Sequence, residues 1–172
     1  MEMSASQYIA IVIALISCVT DVRTRRIPNV LTFGGALAGV AFHTINAGFT
    51  GSLQSITGWA AGVAIFFLPF ALGGMGAGDV KLVAALGAWL GPADTLTLAI
   101  HSVLLAGVAA VLVSLRHAYL RQALANVGRL LLHWRAAGLR PLPEVSLDSG
   151  KGPRLAYAVP VFAGLVTTIW LH

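Results

Sequence analysis

Six apolar stretches alternate with short polar segments along the chain, and this pattern predicts an all-α, polytopic membrane protein. A transmembrane helix needs about 20 apolar residues, with a range of ~17–25. We therefore expect a six-span helical bundle with spans at about residues 5–22, 30–46, 55–72, 79–91, 95–115 and 155–171. Residues 46–55 contain two glycines and no charge, so they are predicted to form a turn.

The fourth apolar stretch is shorter than the others. A helix of about 11 residues covers about 16 Å, roughly half of a bilayer core. Three explanations stay open from the sequence. The glycine-rich segment before this stretch could be partly helical, the membrane could be thinned here, or the helix could lie inside the bundle.

Residues 116–154 form an extended polar segment, in which apolar side chains recur at helical spacing opposite a polar face. This pattern predicts an amphipathic helix at the membrane interface. The apolar face holds Leu120, Leu124, Val127, Leu131 and Trp134, and the polar face holds Arg121, Gln122, Asn126, Arg129 and His133. Residues 138–153 hold three prolines and three glycines and are predicted to form a loop.

The composition excludes an ordinary soluble domain, in which roughly a quarter of the residues are charged. Here 58% of the residues are hydrophobic and 10% are charged, and the mean hydropathy is +0.85. The single cysteine, Cys18, excludes an intrachain disulfide and argues against a cysteine-based zinc site. The histidines are scattered along the chain, so we expect no metal and no cofactor.

The basic residues predict the orientation in the membrane. With six spans, all eleven Lys and Arg residues fall on one side, at positions 23, 25, 26, 81, 116, 121, 129, 135, 140, 151 and 154. The positive-inside rule makes this side cytoplasmic and places both termini outside. Because the basic residues flank the spans, we expect membrane lipids and no nucleic acid as partners.

Two carboxylates are predicted to lie at this cytoplasmic boundary. Asp21 ends the first span and Asp79 begins the fourth, so the topology permits them to pair. Two close carboxyl groups share a proton, and one can activate a water while the other polarises a peptide carbonyl, as in aspartic proteases. The helix dipole would favour ionisation of Asp79, at a helix N-terminus, over Asp21, near a C-terminus.

Glycines surround Asp79, and a basic turn follows Asp21. Gly73, Gly74, Gly76 and Gly78 are expected to allow positive φ angles and the close approach of a strand-like substrate. Pro28 breaks the first helix, and Asn29 suits the N-cap of the next. Arg26, with Arg23 and Arg25, is expected to anchor the chain at lipid phosphates, with substrate contact as an alternative. Lys81 could tune the carboxylates or extend to the interface.

These two segments resemble a known family. Residues 76–79 (GAGD) fit the G-x-G-D motif of intramembrane aspartic proteases. With residues 80–82 (VKL) and residues 21–29 (DVRTRRIPN), they resemble the type IV prepilin peptidases, and the short chain is similar to the small Flp-pilus branch of CpaA/TadV-like proteins. Residues 157–164 (YAVPVFAG) resemble the family's C-terminal segment rich in proline and glycine.

The resemblance implies one membrane-embedded peptidase domain over residues 1–172, with Asp21 and Asp79 as the catalytic pair. The implied substrates are prepilins with a short basic leader and an apolar helix, cleaved at the cytoplasmic face of the bacterial inner membrane. Larger members also methylate the new N-terminus and carry a cysteine-rich zinc segment. About twenty residues precede Asp21 and the chain has one cysteine, so peptidase activity alone is expected.

Two other functions stay open. A proton-coupled transporter could use Asp21 and Asp79 as a relay, although transporters place charges near the bilayer midplane and show matching halves. A catalytically inactive scaffold for pilus assembly is a second alternative. Pilus assembly proteins are also alternative partners of the basic amphipathic segment. The sequence contains no G-x-S-x-G or H-E-x-x-H motif, which weakens serine and zinc protease readings.

Overall fold

The structure is a computed structural model that describes residues 3–140 and 155–171, and this part of the chain is helical without strands. Three helices are long and apolar enough to cross a membrane by length and composition. The helices, in chain order, are α1 (Ala5–Thr24), α2 (Gly35–Ala71), α3 (Ala77–Leu90), α4 (Pro92–Arg116), α5 (Leu120–Ala137) and α6 (Ala158–Leu171), with a π-helical turn at Val30–Gly34.

α1 has defined ends on both sides. Ser4 caps its N-terminus in a capping box with Gln7, which satisfies backbone amides that the first turn leaves free. At the other end Arg25 adopts a left-handed conformation with φ of 54°, and its amide donates to the carbonyl of Asp21 at 2.9 Å. This cap fixes Asp21 in the last turn of α1.

The chain reverses direction within α2, and the reversal is tighter than the ten-residue turn predicted from the sequence. Only Gly48 leaves the helical conformation, with φ of 60° and ψ of −141°. The Thr44 and Ser52 hydroxyls lie 2.7 Å apart across it. Residues eight apart on one straight helix would be about 12 Å apart, so the two arms of α2 are antiparallel. The prediction of a turn at 46–55 was therefore too long, because one glycine suffices.

α3 lies inside the bundle and begins within the glycine-rich segment, so two of the three open explanations for its short length are confirmed. Every residue from 82 to 90 is buried, and the helix packs against α1, α2, α4 and α6. It also begins at Ala77, so the preceding segment is partly helical. A helix shielded by its neighbours does not need a lipid-facing length of 20 residues.

Small residues and backbone hydrogen bonds join α3 to α2. Gly58 and Gly87 pack backbone against backbone, so the two helices approach closely. The Ser55 hydroxyl donates to the Ala88 carbonyl at 2.6 Å, and the Trp89 indole N–H donates to the Gly35 carbonyl at 2.8 Å. Polar side chains that bond to backbone carbonyls across helices are typical of membrane bundles.

α5 lies within the segment for which an amphipathic helix was predicted, and its place at a membrane interface stays a prediction. Its apolar side chains Leu124, Val127, Leu131 and Leu132 are exposed. The predicted loop at 138–153 lies almost entirely outside the described residues. α6 carries Pro160 in its first turn, where a proline costs no helical hydrogen bond, and packs mainly on α4 and α1.

Candidate active site

A cavity of about 680 Å³ opens between the end of α1 and the start of α3. The segment that joins α1 to the π-helical turn forms its third wall. This cavity, which we call the catalytic cavity, brings together the two predicted carboxylates and most of the neighbouring residues named from the sequence, although they come from two segments about 50 residues apart; Gly73, Gly74 and Arg23 do not line it. It is lined by Asp21, Arg26, Pro28, Asn29, Gly76, Gly78, Asp79 and Lys81, among others.

Asp21 is 8% exposed and bonds to a distant helix. Its Oδ2 atom accepts the amide N–H of Ala158 at 3.3 Å, and Ala158 is the first residue of α6. The sequence placed Asp21 only near a helix C-terminus. The structure adds the positive end of α6, so the predicted preference for ionising Asp79 loses its basis in the helix dipoles.

Asp79 lies in the first turn of α3. The Asp79 carboxylate lies beside the backbone of Gly76, the N-cap residue, and the Asp79 amide donates to the Gly76 carbonyl at 3.1 Å. A Cβ atom at Gly76 would lie 3.1 Å from Asp79 Oδ2, so a glycine gives the carboxylate room. Asp79 is also close enough to Asp21 for the two charges to repel. Each carboxylate therefore faces a helix N-terminus and the other carboxylate.

The glycines before Asp79 do not all behave as predicted. In residues 73–78, Gly73 has a positive φ of 76°, whereas Gly76 is extended with φ of −77° and ψ of 146°. Gly78 is helical, because α3 begins at Ala77. A Cβ at Gly78 would meet Ile27 at an ordinary 3.6 Å. The expectation of positive φ was wrong for Gly74, Gly76 and Gly78.

Asn29 and Lys81 contact each other, and this contact takes the place of the helix cap predicted for Asn29. Asn29 occupies the N-cap position of the π-helical turn, but its side chain makes no capping hydrogen bond. Its Oδ1 atom instead accepts from Lys81 Nζ at 3.3 Å, and this ammonium lies 5.1 Å from the centre of the Phe33 ring. The expected side-chain cap was therefore wrong, and Lys81 links α3 to the segment after α1.

Pro28 and Arg26 complete this wall, and both are exposed. The Pro28 carbonyl accepts the amides of Leu31 and Thr32 at 3.0 and 3.4 Å. Pro28 thus begins the π-helical turn, in agreement with its predicted role in shaping the connection. The Arg26 side chain borders the catalytic cavity, where it can reach either a bound ligand or lipid phosphates.

Tyr157 is a residue whose role the sequence did not reveal. It precedes Ala158, the residue whose amide bonds to Asp21, and its phenol interacts electrostatically with Asp79. Its ring packs edge-on against Phe66 with centroids 6.2 Å apart. Tyr157 belongs to the C-terminal segment that resembles the family. The resemblance therefore singled out this segment, but it did not indicate that Tyr157 lies near the carboxylates.

We expect Tyr157→Phe to alter the pH profile of cleavage with little change in KM. The substitution keeps the ring on Phe66 and removes a hydroxyl close enough to Asp79 to interact with its charge, and such a neighbour changes how readily a carboxyl group ionises. Steady-state kinetics across pH provide the measurement. The control is Tyr8→Phe, at an exposed tyrosine of α1. Equal behaviour of the two variants would exclude a positioning role for Tyr157.

Other polar groups in the described part of the chain do not build a second site of this kind. His101 Nδ1 lies 2.9 Å from the hydroxyl of Thr168, so its neighbour Ser102 is not its partner in that contact. Among residues 3–140 and 155–171, no cluster of His, Cys, Asp and Glu could hold a metal ion. The chemistry of the described residues therefore centres on the two carboxylates.

The fold and the site together define an integral membrane protein with a pair of carboxylates in a cavity at the end of two helices. The sequence profile of the type IV leader peptidase family matches residues 8–115, and the chain belongs to this family. The match covers α1 to α4 and both carboxylates. No curated protein and no solved structure matches the chain. Family membership supports a prepilin leader peptidase function in general.

Proposed function

We propose that this protein is an aspartic endopeptidase that removes the short basic leader of Flp-type prepilins and does not methylate the product. The observation that carries this proposal is the placement of Asp21 and Asp79 in one open cavity of a membrane-embedded leader peptidase. The cavity is large enough for an extended peptide segment and a water molecule. The proposed substrate class is a polypeptide with a basic leader followed by an apolar helix.

In the proposed mechanism the two carboxyl groups carry one proton between them. The ionised carboxylate takes a proton from a water molecule, whose oxygen attacks the carbonyl carbon of the scissile peptide bond. The protonated carboxyl donates to the carbonyl oxygen, which becomes a hydroxyl of the tetrahedral intermediate. Collapse of this intermediate breaks the C–N bond, the leaving nitrogen receives the proton taken from water, and one hydroxyl proton returns to the carboxylate that had donated, so that the pair again carries one proton.

The backbone around the carboxylates supports this chemistry. The amide of Ala158 donates to Asp21, which restrains this carboxylate before substrate binds, and Asp79 lies in the first turn of α3. We assign site-shaping roles to the backbone at Gly76 and Gly78 and to the wall formed by Arg26, Pro28, Asn29 and Lys81.

The proposed location is the bacterial inner membrane, with the catalytic cavity facing the cytoplasm and both termini outside. The support is the placement of all eleven Lys and Arg residues on the side that holds Asp21 and Asp79. α5 fits the same orientation, because its exposed apolar face would contact lipid tails while Arg121 and Arg129 meet anionic headgroups. Pilus assembly proteins remain alternative partners of this surface.

The test is a leader-cleavage assay with the purified protein and a Flp-type prepilin in liposomes. We expect a product shortened by the leader, identified by mass spectrometry and N-terminal sequencing. The new N-terminus should carry no methyl group when a methyl donor is present. Intact prepilin in every lipid tested would contradict the proposal, and a proton flux through the same liposomes would then favour the transporter alternative.

A further inference from the structure

A second, apolar cavity of about 300 Å³ lies beside the catalytic cavity, and we call it the aromatic groove. The second arm of α2 and one face of α3 form its walls. The side chains that define its character are Phe33, Trp59, Val63, Phe67, Phe70 and Val80. Its wall is almost entirely hydrocarbon, in contrast to the charged wall of the catalytic cavity.

The two cavities meet around the first turn of α3. Ala77, Val80, Lys81 and Ala84 line the aromatic groove and share one helical face, since they follow the i, i+3, i+4, i+7 pattern. Asp79 lies on the other side of the same helix. Ala77 and Lys81 line both cavities, so the walls of the groove and of the catalytic cavity are continuous at this turn.

The groove extends away from the catalytic cavity along α2. Phe70 is near the end of α2, close in sequence to the start of α3, and Trp59 lies eleven residues earlier. The distance between them is about 16 Å along the helix, or three helical turns. Trp59 and Phe67 are 39% and 57% exposed, so their rings face an open apolar surface rather than the core.

We propose that the aromatic groove binds the apolar helix of the substrate on the C-terminal side of the scissile bond, while the leader lies in the catalytic cavity. This inference rests on the proposed function. A leader peptidase must hold a chain that changes from polar to apolar at the cleaved bond. The two continuous cavities change character in the same order.

Lys81 stands at the border between the two cavities. Its ammonium is held by Asn29 Oδ1 at 3.3 Å and lies over the Phe33 ring at 5.1 Å. The aliphatic part of a lysine packs on apolar surface while its charge stays at the polar edge. Lys81 therefore marks the depth at which the bound chain passes from the polar cavity into the groove.

The structure offers a matched control surface. Val103, Leu104, Val108 and Leu112 of α4 line another apolar cavity, of about 390 Å³, in which no residue of the catalytic cavity takes part. Any apolar furrow attracts lipid tails. Only continuity with the catalytic cavity distinguishes the aromatic groove, and it selects a substrate helix as the occupant.

The first experiment measures kinetics with a prepilin that the wild-type protein processes in liposomes. Phe67→Ala and Trp59→Ala should each raise KM about tenfold, because each removes a large aromatic contact with the apolar helix of the substrate. The value of kcat should stay within about twofold, since the carboxylates are untouched. Val108→Ala and Phe49→Ala are the controls, and neither should change KM. A fall in kcat at constant KM, or equal effects of the control variants, would overturn the proposal.

The second experiment captures the occupant directly. A benzoyl-phenylalanine photocrosslinker replaces Phe67 or, as the control, Val108 in the full-length protein, and light is applied with full-length prepilin present. We expect an adduct at position 67 that maps to the apolar helix of the prepilin, and none at position 108. Capture of phospholipid alone at position 67, or equal capture of prepilin at both positions, would overturn the inference. If the wild-type protein released no leader, this result would instead contradict the proposed function.

Discussion

Leader cleavage should fall about 10²–10⁴-fold in Asp79→Asn, and by a similar factor in Asp21→Asn, because an amide can neither accept the proton of the attacking water nor share a proton with the remaining carboxylate. Both carboxylates line the catalytic cavity; Asp21 accepts the Ala158 amide at the start of α6, and Asp79 lies in the first turn of α3. Asparagine keeps the size and a hydrogen-bond acceptor. The loss should therefore appear in kcat, with thermal stability in detergent close to that of the wild-type protein.

The matched control for these variants is Asp94→Asn. Asp94 lies in the first turn of α4, and a carboxylate there also faces a helix N-terminus, but it is not part of the catalytic cavity. This variant should cleave prepilin at the wild-type rate. Full cleavage by Asp79→Asn, or an equal loss in Asp94→Asn, would contradict the assignment of the pair.

Gly87→Ala and Gly58→Ala should reduce the yield of folded protein strongly and lower its thermal stability. A Cβ atom at Gly87 would collide with the Gly58 carbonyl and would lie 2.9 Å from the Thr95 hydroxyl, and a Cβ at Gly58 would collide with the Gly87 carbonyl. Overpacking of a well-packed core typically costs about 1–3 kcal/mol. The loss here should reach the upper end, because the obstacles are backbone atoms that cannot rotate away.

Unfolding titrations in mixed micelles measure this effect. Gly107→Ala in α4 is the control, since a Cβ atom there meets nothing within 4 Å. Alanine is also a better helix former than glycine by about 0.8–1.0 kcal/mol, so the control should be neutral or stabilising. Wild-type stability in Gly87→Ala would show that α2 and α3 do not pack as closely as the structure has them.

The paired carboxylates could be predicted from the sequence because their positions along the chain are enough to predict their depth in the membrane. A charge at the end of each of two apolar stretches has its depth set by the membrane, and the alternation of spans then brings Asp21 and Asp79 to the same side. The six apolar stretches follow from hydropathy in the same way. Topology alone did not predict that Asp21 and Asp79 lie close together, because their proximity depends on the packing of α1 against α3.

The contacts of Asp21 and Tyr157 could not be predicted for a physical reason. Ala158 donates to Asp21 across 137 residues, and nothing in the local sequence of either residue encodes which helix end will meet it. The prediction of the turn in α2 was wrong for a different reason. Residues 46–55 carry no charge and were therefore predicted to form a turn. In the structure the hydroxyls of Thr44 and Ser52 contact each other and donate to backbone carbonyls of their own arms, and Gly48 alone reverses the chain.

The Asn29 contact shows the limit of local rules. Asparagine before an apolar stretch is a strong N-cap signal, because its side chain usually accepts a free amide of the first turn. Here the Pro28 carbonyl already accepts the amides of Leu31 and Thr32, and a lysine from α3 offers a charged donor to Asn29. A tertiary partner thus replaced the local one.

The most direct test of the central claim is a comparison of the double variant Asp21→Asn/Asp79→Asn with the two single variants. Cleavage rates are measured on one prepilin in liposomes, with folding checked for each protein. If the two carboxylates act as a unit, the double variant should be no slower than either single variant, because each alone removes the shared function. Multiplication of the two single losses in the double variant would show independent roles and contradict the two-carboxylate mechanism.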